Sequence, residues 1–141
     1  MEKIIQININ KYLILFGSII FILFVIGLFI FDDGTLEEVS LIFYITIVLV
    51  SLLIIEAIYT KVILSENGIL KKTLFTKKYY SFEEISSIDI YKNRNFIRIN
   101  KNQNFIAIGW DYSDYNLFKT NLITIVSKNN IKINNRDKWG G

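Results

Sequence analysis

The sequence predicts a membrane α+β chain: a two-helix transmembrane hairpin, then a small antiparallel β-barrel or sandwich closed by a C-terminal helix. Three observations predict it. Residues 12–31 and 39–55 form two charge-free, almost wholly apolar runs separated by seven residues. Short alternating segments punctuated by Asn, Gly and Ser follow residue 61. One later stretch, from about Ser113 to Lys128, switches to helical period.

Each apolar run is long enough to cross a bilayer, since about 20 residues at 1.5 Å rise span a ~30 Å hydrocarbon core. A cleaved signal peptide does not fit the first run, because a signal core has only ~7–15 residues. The N-terminal flank carries Lys3 and Lys11, and Lys61, Lys71, Lys72, Lys77 and Lys78 follow the second run. The link carries Asp32, Asp33, Glu37 and Glu38 and no basic residue. Basic flanks stay cytoplasmic, so both termini are expected inside and the acidic turn outside. The expected divisions are a flank 1–11, a span 12–31, an external turn 32–38, a span 39–60, a cytoplasmic domain 61–130 and a strand or tail 131–141.

Composition narrows the chemistry. The 141 residues include no Cys, His or Pro. Disulfides, thiolate chemistry and the commonest general base and metal ligand are therefore excluded. Residues 61–141 hold 14 Lys or Arg against 7 Asp or Glu, so they carry +7 where the whole chain is +3. A basic domain held at an anionic membrane surface would gain roughly 1 kcal/mol per basic residue.

The elements after residue 61 follow in order. Val62-Ile63-Leu64 and Ile69 to Leu74 flank Asn67-Gly68, a strong hairpin signal. Thr76-Lys77-Lys78 turns the chain into Tyr79-Tyr80-Ser81-Phe82. Ser81 and Glu84 have capping-box spacing for one short helical turn. Ile88 and Ile90, Ile97 and Ile99, and Ile106 and Ile108 alternate with other residues, the period of strands with one buried face. Tyr115, Phe118, Leu122 and Ile125 then lie on one helical face, with Asp111 or Ser113 as cap. The count is six strands and one closing helix, with Ile131-Lys132-Ile133 as a last short strand or tail.

The segment Val62 to Ile69 resembles the opening hairpin of bacterial PH-like domains. Tyr79 to Ile88 resembles their third strand, short turn and fourth strand, and Glu84-Ile85 fits their acidic-Ile pair. A PH-like domain directly after two apolar helices is similar to the YcxB-like arrangement of small bacterial membrane proteins. The resemblance covers roughly residues 12–128. It implies a PH-like barrel or sandwich closed by a helix, a place in the bacterial inner (plasma) membrane and no catalytic centre. It does not bring phosphoinositide binding. Headgroup-binding relatives place Lys and Arg around the first hairpin loop, and here that loop, Ser65-Glu66-Asn67-Gly68, carries an acid.

No catalytic, cofactor-binding or metal-binding residue is expected, and no nucleic-acid partner. The four acids of the link are read as a solvated turn rather than a cation site. Glu56 is read as an interfacial carboxylate near Lys61, Trp110 as a plug of the barrel mouth, and Gly140-Gly141 as a flexible end. Tyr91, Arg94, Phe96 and Arg98 are the candidate protein-interaction surface, because aromatic and Arg side chains are enriched at interfaces. Lys71, Lys72, Lys77 and Lys78 are the candidate contacts for anionic lipid. The expected function is a non-enzymatic, membrane-anchored interaction module at the cytoplasmic face, with a protein partner. The alternatives are an immunity protein against a secreted toxin, an accessory subunit of a transport or secretion complex, and an anionic-lipid sensor.

Overall fold

Ile5, Ile7 and Ile9 alternate with Gln6, Asn8 and Asn10, and this period of two makes the N-terminal flank a strand. In the computed structural model, which describes residues 3–30 and 40–136 (side chains 4–27 and 44–136), β1 is Lys3–Asn8. It pairs antiparallel with β2, Lys61–Ser65, placing Ile7 opposite Val62 and Asn8 opposite Lys61. Between these paired strands the chain runs through α1, Lys11–Ile30, and α2, Ser40–Tyr59. The two helices pack on each other. They form a helical pair inserted into a β-hairpin.

Strand β3, Gly68–Lys72, and β4, Lys77–Ser81, complete the first sheet in the order β1-β2-β3-β4. A 3-10 turn, Phe82–Glu84, follows, and the Ser81 backbone N–H donates to Glu84 Oε2 at 3.2 Å, as the Ser-to-Glu spacing requires. The second sheet holds β5 (Ser87–Tyr91), β6 (Phe96–Lys101), β7 (Asn104–Gly109) and β8 (Ile133–Arg136), in the order β7-β6-β5-β8. β8 runs parallel to β5, and every other pair is antiparallel. Helix α3, Tyr115–Lys128, connects β7 to β8.

One core cluster draws on both sheets and on α3. It includes Ile7, Val62, Leu64 and Ile69 from the first sheet and Ile88, Ile97, Ile99, Ile106 and Ile108 from the second. The helix supplies Tyr115, Phe118, Leu122 and Val126. Fully burying one such aliphatic or aromatic side chain contributes ~1.5–3 kcal/mol. The N-terminal flank is thus part of the core. Asn10 N–H also donates to the Asp111 carbonyl at 2.7 Å, and Ser113 N–H to the Asn8 carbonyl at 2.8 Å.

These observations correct the expected fold class. The chain is an α+β fold of two four-stranded sheets with three helices among the described residues, not a transmembrane hairpin followed by a six-stranded PH-like barrel. Among the described residues no helix is long and apolar enough to cross a membrane. The two spans, the multi-pass inner-membrane location with cytoplasmic termini and the membrane as integral partner are corrected on that finding. The acidic turn 32–38 and the Gly140-Gly141 end lie outside the described residues.

Three finer readings also change. Val126, not Ile125, is the fourth fully buried position of α3, while Ile125 is partly buried. The N-cap is Asp114, in the left-handed region at φ 55°, rather than Asp111 or Ser113. Trp110 is 62% exposed and plugs nothing.

Candidate functional site

Strict alternation in β5, β6 and β7 sends six isoleucines inward and leaves Asp89, Tyr91, Phe96, Arg98, Asn100 and Phe105 on the opposite face of the second sheet. Asp89 is the hub of that face, although only 5% exposed. Its Oδ1 accepts from Asn134 Nδ2 at 2.8 Å and Arg136 Nε at 3.1 Å, and its Oδ2 from Asn100 Nδ2 at 2.9 Å. Burial pushes its carboxyl pKa up, but the donors from Asn134, Asn100 and Arg136 outweigh that and hold it below the usual value. A charged, fully partnered Asp89 therefore ties β8 to β5.

Beside this hub lie the residues the sequence singled out. Phe96 and Arg98 share one face of β6, and the Arg98 guanidinium stacks 4.2 Å from the ring centre of Phe105 on β7. Arg98 Nε is buried without a hydrogen-bond partner. Stacking of this kind stabilises by roughly 0.5–1 kcal/mol at exposed sites, and it holds the guanidinium in one orientation. Tyr91 is only 4% exposed, its ring 5.7 Å from that of Phe96, so it backs the surface rather than forming it. Arg94 is exposed on the 3-10 turn Lys92–Arg94, which Asn95 ends at φ 45°.

The surface extends beyond the four residues expected to form it. Gly109 pairs with Phe96, and the next residue, Trp110, projects into solvent. Trp110 and Leu117, which is 56% exposed, line a cavity of about 460 Å³ with Asn95, Tyr112, Asp114 and Tyr115. Burial pushes the Tyr115 phenol up to about 12 and also raises that of Tyr112. Phe105 was legible as the outward neighbour of inward Ile106. Leu117 was legible as an apolar residue off the buried face of α3.

The four lysines do not form one patch. Lys71 and Lys72 are successive residues of β3 and face opposite ways. Lys71 turns inward: its Nζ donates to the Ala107 carbonyl at 3.1 Å and sits 5.7 Å from the Tyr112 ring centre. Burial, more than any neighbouring charge, lowers its pKa. Lys78 is paired with Lys71 and Lys77 with Lys72, and Lys72, Lys77 and Lys78 are exposed. Lys72 instead joins Lys11 and Lys61 at a cavity of about 650 Å³ where the helical pair meets the sheet.

Glu56 is half-buried on α2, close enough for its charge to act on Lys71. Among the described residues no group of three or more Asp and Glu gathers to hold a metal ion. No protein-family model matches the chain, and no curated protein matches its sequence.

Proposed function

We propose that this chain is a non-enzymatic interaction module that grips a protein partner with one end of its second sheet. The observation that carries the reading is Trp110: a large aromatic side chain, 62% exposed, at the rim of a cavity it shares with Leu117. Trp, Tyr and Arg are enriched among the few residues that carry most of the binding energy at protein interfaces. Exposed Arg94 precedes the cavity-lining Asn95, and the stacked Arg98–Phe105 pair lies further along the same sheet, adding an oriented cation and apolar area.

A photo-crosslinking amino acid at Trp110, Leu117 or Phe105 tests the proposal in cells. One discrete adduct, shared by the three positions and absent when the probe stands at Lys128, is expected. Arg98→Ala should weaken it. Equal labelling at Lys128, or no adduct at Trp110 and Leu117, would overturn the assignment. The protein found in the adduct then separates the narrower roles of immunity protein and accessory subunit.

A further inference from the structure

The cavity at the junction of helices and sheet has a composition the protein-binding reading does not use. Its lining includes three lysines, Lys11 at the start of α1, Lys61 at the start of β2 and Lys72 at the end of β3. Among the described residues no carboxylate lines it. Among the described residues none of the three lysines has an ion-pair partner; the nearest attraction is Lys11 Nζ, 5.3 Å from the ring centre of Tyr12. Three like charges gathered around one concavity repel one another. Gln6 and Asn8 add amide groups to the same wall. The apolar part of its wall is Ile9, Ile14, Ile58 and Tyr59.

We infer that this cavity binds a phosphate-bearing amphiphile, its phosphate among Lys11, Lys61 and Lys72 and its acyl chain against Ile14 and Ile58. The phosphate half follows from charge. A phosphate monoester carries about −1.5 to −2 at neutral pH and offers three acceptor oxygens, matching three ammonium donors. Lys binds phosphate as a point charge without demanding one planar geometry. The acyl half follows from continuity. Ile58 is 58% exposed near the end of α2, Ile55 one turn before it is accessible as well, and Ile14 is half-buried near the start of α1. A free phosphate would neutralise the lysines and leave that wall wet. An amphiphile covers both.

The test is calorimetric titration of the full chain with short-chain dihexanoyl phosphatidic acid below its micelle concentration. Inorganic phosphate and dihexanoyl phosphatidylcholine serve as separate arms. Saturable binding of phosphatidic acid is expected, weaker for both comparators. Lys11→Gln and Lys72→Gln, both exposed positions, should each weaken it about tenfold, the loss of one charge-assisted hydrogen bond. Lys128→Gln should not. Equal affinity for inorganic phosphate would overturn the acyl part, and equal affinity for phosphatidylcholine would overturn the charge part. No binding, or variants that bind as well as the parent, would overturn the whole. The Trp110 cavity shares no lining residue with this one, so cross-linking there is a separate result.

Discussion

Asp89 of β5 accepts a 2.8 Å hydrogen bond from the side-chain amide of Asn134 on β8, across the only parallel strand pair among the described residues. Arg136, two residues on, reaches the same carboxylate oxygen. β8 is four residues long and follows a helix, so backbone pairing alone gives it little hold. Asp89→Ala removes the acceptor for three side chains. The expected cost is about 1–3 kcal/mol, with amide exchange accelerated in β8 before the rest of the second sheet. Unchanged exchange in β8 would show that its backbone bonds suffice.

The N-terminal strand gives a second expectation. Ile7 is fully buried between β2 and the core. Ile7→Ala should cost about 2–5 kcal/mol, the range for truncating a buried aliphatic. Ile4→Ala, at an exposed position of the same strand, should cost little. Chemical unfolding of the two variants decides it; equal midpoints would refute the placing of β1.

That strand also shows where the sequence was legible and where it was not. The alternation of Ile5, Ile7 and Ile9 is plain, but its partner lies more than fifty residues downstream across two apolar helices. Its flanking lysines and the apolar helix that follows give the segment the look of a span flank, which masks the local period. The strands from β2 to β7 were legible because each pairs with its neighbour across a short turn. The helical face of α3 was legible to within one residue: Val126 replaces Ile125 because a spacing of four follows Leu122. The surface was half legible. Composition pointed to Phe96 and Arg98, whereas the exposure of Trp110 depends on how the loop after β7 leaves the sheet, which no local pattern records.

Gly68 gives a third expectation. The Asn-Gly turn forms a hairpin as foreseen, yet Asn67 is not among the residues with positive φ. Glycine is needed there for close approach: a Cβ at this position would press on the Tyr80 carbonyl oxygen and stand 2.9 Å from Ser81 Cα. Both are backbone atoms of the neighbouring strand and cannot rotate away. Gly68→Ala should cost about 1–3 kcal/mol, as overpacking does. Gly17→Ala in α1, with nothing within 4 Å of the added carbon, should be neutral or stabilising by up to ~1 kcal/mol. Thermal unfolding of the pair checks the contrast, and a harmless Gly68→Ala would mean the two strands are further apart.

The fourth expectation concerns alkaline pH and rests on Lys71 and three buried tyrosines. Burial lowers the Lys71 pKa from its ordinary 10.5. Below the lowered value the lysine is charged in both folded and unfolded chains, and stability does not change with pH on its account. Between that value and 10.5 the folded chain has released its proton while the unfolded chain still holds one, so stability rises with pH. Tyr80, Tyr112 and Tyr115 act in the opposite sense. Burial raises each above the ordinary 10.0, so above about 10 the unfolded chain loses phenolic protons first and stability falls. Urea midpoints measured from pH 7 to 11 should therefore climb and then drop. Lys71→Met should remove the climb and leave the drop, because it keeps the aliphatic stem and discards the titrating group. A climb that survives in Lys71→Met would place its origin in another residue.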